Sequence, residues 1–145
     1  MPLNGEYVPS PMDFVSNQVA EFEASDGQRA NVNHGGKPVI ILTTVGATSG
    51  KLRKVPAMRV KHGDEYAVVP SAGGAPKPPA WYYNLLANPV VELQDGAEKK
   101  EYTARQVSGE EKDRWWQRCT EVWPDYDEYQ EKVEREIPVF VLTPR

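Results

Sequence analysis

The chain has 145 residues, 17 Lys and Arg against 21 Asp and Glu, a net charge of −4 and 39% hydrophobic residues. That composition fits one soluble globular domain and excludes a disordered or fibrous protein, while a pI near 5.3 argues against a general nucleic-acid binder. A single cysteine, Cys119, with two histidines, His34 and His62, excludes an intrachain disulfide and the usual zinc ligand sets, so no metal is expected.

No stretch approaches the roughly 20 apolar residues that span a bilayer, and the first residues lack a signal-peptide pattern. A cytoplasmic setting is expected. Residues 11–24 predict a helix with Ser10 as its cap and Phe14, Val15, Val19 and Phe22 on one face. Its polar face is acidic, which favours packing on the core over covering a cleft or touching a membrane. Peripheral membrane contact through this helix is the competing expectation. Asp26-Gly27 ends it, and residues 28–37 form a polar loop containing Gly35-Gly36.

A strand at 38–45 enters the turn Gly46-Ala47-Thr48-Ser49-Gly50, and a second strand at 53–61 leaves it. Between Lys51 and His62 stand Lys51, Arg53, Lys54, Arg59 and Lys61, with no acidic residue. On an acidic protein such a patch points to a bound anion. Turn amides and hydroxyls beside Arg or Lys are the groups a phosphate or carboxylate needs. A solvated cationic strand is the alternative. Strand alternation, however, sends Arg53 and Lys54 to opposite faces, so one of them approaches the core side, where a charge needs a partner.

A strand at 65–71 follows a turn at 61–64, which leaves His62 in solvent. Val69-Pro70-Ser71-Ala72-Gly73-Gly74-Ala75 then leads into a helix from Ala80 to Ala87, with proline before its first turn and Asn88-Pro89 as its stop. A strand end, a Gly-Gly loop and a helix N-terminus present free amides suited to an anion or a flat polar heterocycle. Trp81 reads as core; Tyr82 or Tyr83 faces a ligand, since one helix cannot bury all three rings.

Strands at 90–95 and 99–107 form a hairpin around Asp95-Gly96. Ser108-Gly109-Glu110-Glu111 is a capping-box pattern opening a helix to about Val122, with Cys119 as a small core residue. A second helix runs from Asp125 to about Glu136, and a strand at 138–142 closes the chain. Trp123, Tyr126 and Tyr129 share a face, as either core or a half-open aromatic wall beside a pocket. Six strands at close spacing predict a small antiparallel barrel with helical additions. Neither a catalytic triad nor a paired-carboxylate arrangement is present, so an enzyme of this kind leaves the chemistry to a cofactor.

The chain resembles the deazaflavin (coenzyme F420)-dependent nitroreductase and quinone reductase family of actinobacteria, over about Lys37 to Pro144. The motifs are Leu42-Thr43-Thr44-x-Gly46, Ser49-Gly50, Arg53-x-x-Pro56, Ser71-x-Gly73-Gly74-Ala75, Pro79-x-Trp81-Tyr82-x-Asn84-Leu85, Ala87-Asn88-Pro89, Trp123-Pro124-x-Tyr126-x-x-Tyr129 and Arg135-x-Ile137-Pro138-Val139. The resemblance implies a mainly β protein, a split β-barrel like that of FMN-binding proteins, with an N-terminal helix and late helical insertions. Residues 1–37 would then be helix and linker, and 38–145 the coenzyme-binding barrel.

The implied activity is hydride transfer from reduced coenzyme F420 to a small electron-poor acceptor, namely a quinone, an enone lactone or a nitroaromatic. An FMN-dependent reductase of the same fold and a non-catalytic F420 carrier are the alternatives. The coenzyme's phosphate and tail would lie on Ala47, Thr48, Ser49, Arg53 and Lys54. Its ring would lie against Val55, Pro56, Ala57, Met58, Val69, Pro70, Ser71, Ala72, Ala80, Trp81, Tyr82, Tyr83 and Asn84. Tyr126 would reach coenzyme and substrate, with Ser71, Trp123 and Tyr129 lining the acceptor side and Ser71 or Tyr126 bonding its oxygen. The chain departs from the family pattern at Ala47, Thr48 and Ala72, where relatives carry cations that Lys51, Lys54 or Lys77 would replace. It departs again at Trp123, where nitroreductases place a tyrosine. Monomer and homodimer are both compatible with the resemblance.

Overall fold

Val39-Ile40-Ile41-Leu42 is apolar at every position, the pattern of a strand covered on both faces. The computed structural model, which describes residue 3 and residues 5–145, places it so. The elements are α1 (Asp13–Ala24), β1 (Val39–Val45), β2 (Leu52–Met58), β3 (Val60–His62), β4 (Glu65–Val68), α2 (Ala80–Ala87), β5 (Val90–Asp95), β6 (Glu98–Gln106), α3 (Gly109–Val122), α4 (Asp125–Glu131) and β7 (Phe140–Pro144). A one-turn 3-10 segment, Ala72–Gly74, precedes α2.

The strands form one antiparallel sheet in the order β2-β1-β5-β6-β7-β4-β3. β2 and β3 end that order at opposite edges, yet only Arg59 lies between them in the chain. Two peptide units span at most about 7 Å, so the sheet curls until its edges meet at this corner. The result is the expected split barrel. A strand over 53–61 is therefore corrected to two strands. Alternation runs on either side of Arg59 and does not reveal the bend. Arg59 is fixed there by its Nε–H, shared between the two carboxylate oxygens of Asp95 (3.0 and 2.9 Å), and the same carboxylate accepts the Tyr66 hydroxyl at 2.6 Å.

Three apolar clusters follow from the pleat. Ile40 and Leu42 point into the barrel with Val68, Leu93, Phe140 and Leu142, capped by Leu85 of α2. Val39 and Ile41 point outward and are covered by Val19 and Phe22 of α1. Val139 and Val141 point the other way, under Trp115, Cys119 and Tyr126 of α3 and α4. α1 thus packs by Val19 and Phe22 of its expected stripe. Phe14, expected on that face, is corrected to exposed, because the first turn of the helix runs past the edge of the strands it covers, and Met12 before it is exposed too. No helix among the described residues is long and apolar enough to cross a membrane.

Several ends are shifted. α1 starts at Asp13 with Met12 at the cap position, so Ser10 lies outside it, although its Oγ accepts the Met12 N–H at 3.2 Å. Ser108 is at the cap of α3 but makes no capping bond, and Glu111 instead pairs bidentately with Arg105. The strand expected over 65–71 stops at Val68, and the last strand lies at 140–144 instead of 138–142. α4 stops at Glu131, short of Glu136, because Gln130 bonds the following backbone through Arg135 O (2.9 Å) and Ile137 N–H (2.8 Å).

Cys119 is fully buried, and burial pushes its thiol up to about 12 from 9.0. A thiol raised in the folded state keeps its proton longer than in the unfolded chain. This contribution to stability is whole below pH 9 and declines as pH rises toward 12. We expect no labelling by a thiolate-specific disulfide reagent at pH 8 until denaturant unfolds the chain; rapid labelling of the folded protein would contradict the buried placement.

Candidate functional site

The turn between β1 and β2 is built by glycine and by a distant asparagine. A Cβ at Gly46 would stand 2.5 Å from Ser49 Oγ and 3.2 Å from Lys51 O, so a larger residue there would displace the Ser49 hydroxyl and crowd the turn, and Gly50 carries φ +69°. Gly46 N–H bonds Lys51 O at 2.8 Å and Gly50 N–H bonds Gly46 O at 3.1 Å. Asn84, reaching across from α2, accepts the Ala47 N–H on Oδ1 (2.9 Å) and donates Nδ2 to Thr44 Oγ1 (3.0 Å). Both halves of the Asn84 amide are therefore used inside the protein. Among the described residues the Thr48 and Ser49 N–H groups have no acceptor, so the turn offers two free donors to solvent.

Beside this turn opens a cleft of about 480 Å³, lined by Gly46, Ala47, Thr48, Ser49, Arg53, Lys54, Val55, Ala80, Trp81, Tyr83, Asn84 and Ser10. A second cavity of about 190 Å³ is lined by Pro56, Ala57, Met58, Val69, Trp81, Tyr126, Val39, Gln18 and Asn33. The two share Trp81 and lie in succession along β2, from Arg53 to Met58. At about 3.4 Å per residue that run is about 17 Å long, a groove for an elongated molecule.

The two cations are placed differently. Lys54 donates its ammonium to Glu23 of α1 and lies 4.8 Å from the centroid of the Tyr7 ring. Arg53 has no ion pair or side-chain hydrogen bond among the described residues. The charged end of the cleft is thus the Arg53 guanidinium with the Thr48 and Ser49 amides, an arrangement that binds anions.

An aromatic cluster lies at the other end, where only Tyr126 of the three rings lines the second cavity and Trp123 and Tyr129 pack on the core behind it. Tyr126 is buried, and burial with neighbouring Cys119 and Tyr129 raises its phenol above the ordinary value, so it stays protonated at neutral pH. Its ring meets Trp116 (6.1 Å) and Tyr129 (6.1 Å). Trp123 donates Nε1–H to the Tyr129 hydroxyl at 3.2 Å and meets His34 edge-on at 5.4 Å. The 31–37 loop seals against it, since a Cβ at Gly35 would sit 2.6 Å from the Trp123 ring.

Of the sequence-predicted residues, Ala47, Thr48, Ser49, Arg53 to Met58, Val69, Ala80, Trp81, Tyr83, Asn84 and Tyr126 line one or other cavity. Trp81 is half-buried, packs on the barrel core as expected and also forms the wall that the two cavities share. Pro70, Ser71, Ala72, Tyr82, Trp123 and Tyr129 line neither cavity. Tyr82 packs on the barrel core, edge-on to Phe140 at 5.9 Å, and Ser71 is buried beyond Val69. Sequence reasoning missed Ser10, Gln18, Asn33, Val39 and Gly46. Asn33 was open to detection, because Asn-His-Gly-Gly is an Asx-turn sequence and its Oδ1 accepts the Gly35 and Lys37 N–H groups. Among the described residues no cluster of His, Cys, Asp or Glu is placed to hold a metal ion.

The sequence pattern of the F420H(2)-dependent quinone reductase family matches residues 15–144. An F420H(2)-dependent quinone reductase of Mycobacterium tuberculosis is 36% identical over 129 residues, covering 87% of each chain. A solved F420-H2 dependent reductase is 50% identical, with a TM-score of 0.69, over 72% of this chain and 93% of its own. A second solved structure, described as a domain-swapped dimer, is 44% identical, with a TM-score of 0.72, over 92% of this chain and 99% of its own.

The turn's shape depends on one amide that α2 supplies. Asn84→Ala should cost about 1–3 kcal/mol of unfolding free energy, since it orphans the Ala47 N–H and the Thr44 hydroxyl. Denaturant unfolding measures that loss, and amide exchange at Ala47 should quicken. A variant as stable as the native chain would show that the clamp does not hold the turn.

Proposed function

The chain belongs to the F420H(2)-dependent quinone reductase family, and from that premise we propose that it reduces a quinone, or an enone lactone or nitroaromatic by the same chemistry. It is an oxidoreductase, and its cofactor is coenzyme F420, which when bound supplies a hydride from C5 of its reduced deazaflavin ring.

The observation that carries the reading is an Arg53 with no ion pair among the described residues, beside two free turn amides, at one end of a groove whose other end is lined by Pro56, Ala57, Met58, Val69 and Tyr126. A coenzyme with a flat ring and a polyanionic tail fits such a groove end to end. Arg53, with the Thr48 and Ser49 N–H groups, would hold the phosphate and tail. Val55, Ala80 and Trp81 would carry the ring, Trp81 standing at the junction of the two cavities. Lys54 keeps β2 docked on α1 through Glu23 and shapes the cleft from behind.

The acceptor would lie toward Tyr126, whose protonated phenol is the donor available to a carbonyl oxygen as negative charge develops there. Hydride and one proton together convert a quinone to its hydroquinone, so the protein needs to hold the acceptor, exclude water and bond that oxygen. Ser71 is the second candidate donor, from the loop after Val69. The aromatic residues around Tyr126 keep the phenol in place and the surroundings dry.

Titration with coenzyme F420, followed by tryptophan fluorescence, tests binding, and oxidation of the reduced coenzyme by menadione tests turnover. Arg53→Ala should weaken coenzyme affinity about ten- to a hundredfold, the worth of a charged hydrogen bond. Native affinity in that variant would remove the anion end of the assignment. Tyr126→Phe should leave affinity unchanged and lower kcat about a hundredfold; full activity would dismiss the phenol as a donor.

A further inference from the structure

Arg135 stands outside both cavities. Its Nε donates to Ala75 O at 3.2 Å, and one Nη donates to Ser71 O at 3.0 Å and Pro70 O at 3.5 Å. Among the described residues no carboxylate pairs with it. A half-buried guanidinium satisfied by carbonyls alone gains no Coulomb energy from an opposite charge, so what it does is fix those carbonyls.

The backbone it fixes is strained. Ala72, Gly73 and Gly74 have φ of 49°, 64° and 82°, three successive left-handed residues of which one is alanine. Such strain persists only where surrounding contacts over-determine it. Two local bonds, Gly74 N–H to Ser71 O (2.9 Å) and Ala75 N–H to Ala72 O (3.2 Å), do part of that, and Arg135 adds three more.

Arg135 is itself tied to α4. Gln130 donates Nε2 to Arg135 O at 2.9 Å and accepts the Ile137 N–H at 2.8 Å. The loop also touches α4 directly: a Cβ at Gly74 would stand 3.0 Å from Tyr129 Cα. One end of this relay is therefore the helix that carries Tyr126, and the other is the loop that begins at Ser71.

We infer that Arg135, braced by Gln130, is a positioning residue that sets the Ser71 loop against Tyr126, so that two donors from distant parts of the chain keep one mutual geometry. The catalytic part of this inference rests on the reading of Ser71 and Tyr126 as the acceptor side. The planar fork matters, because a lysine ammonium is a single point of charge and cannot hold carbonyls on both sides of the loop.

The test uses Arg135→Ala and Arg135→Lys with three readouts. Amide exchange at Gly74 and Ala75 should quicken about tenfold in both variants and stay native in the β1–β2 turn. Affinity for coenzyme F420, anchored at Arg53, should stay within about twofold, while kcat with menadione falls about thirty- to a hundredfold, the scale of a small misplacement. Millimolar guanidinium should restore part of the Arg135→Ala activity where sodium chloride of equal ionic strength does not, a response that a general loss of stability would not give. Should Arg135→Ala not fold, Arg135→Lys carries the same expectations. Native exchange at Gly74 and Ala75, or native kcat with a loosened loop, overturns the inference. A native chain inert toward every acceptor overturns the functional reading instead, and the exchange measurement then still decides whether Arg135 holds the loop.

Discussion

The structure depends on a corner. β2 and β3 lie at opposite edges of the seven-stranded sheet, and one residue, Arg59, joins them. That shortness forces the curl, and the curl makes an interior for Ile40, Leu42, Phe140 and Leu142 that a flat sheet could not enclose. The corner also carries a charge, which the Asp95 carboxylate neutralises while taking the Tyr66 hydroxyl. Because β2 is both an edge and the start of the corner, its length is left for other elements to frame. α2 meets it across the turn, α1 docks behind it, and the groove is what remains between them.

The basic patch illustrates how charge is sorted by burial. Five cations follow the turn, and four have partners. Lys54 pairs with Glu23, Arg59 with Asp95, Lys51 with Glu6 at 3.5 Å, and Lys61 lies over the Tyr66 ring at 5.8 Å. Arg53 has none. The Lys51 pair is largely exposed, so it contributes little and could yield to a stronger anion. A run of positive residues on an acidic protein thus resolves into scaffold and one available guanidinium.

Much of this was legible in the sequence because the signals are local. Alternating apolar residues gave the strands, glycine-rich turns gave the hairpins, and Pro79 with Asn88-Pro89 bounded α2. The basic turn was visible as an anion site for the same reason. What stayed hidden depends on contacts far apart in the chain. Asn84 was marked as a ligand residue, but its partners are Thr44 and Ala47, some 40 positions earlier, and they make it a clamp. Gln18 reaches the second cavity from α1, where nothing local marks it, and the Asx-turn sequence at Asn33 marks a turn but not the cavity that this turn borders. Lys54 looked as available as Arg53 until α1 brought Glu23 to it.

The N-terminal arm has an effect beyond packing. Tyr7 bridges in parallel to Leu52, with Leu52 N–H bonded to Glu6 O (2.8 Å) and Val8 N–H to Leu52 O (3.0 Å). An edge strand with open amides and carbonyls is a template on which another chain can add a strand. Here the protein's own arm occupies that template where β2 begins, and Lys54 against the Tyr7 ring holds it down. The strand that must stay accessible on its face for the groove is thereby closed along part of its edge, which protects the molecule against edge-to-edge aggregation.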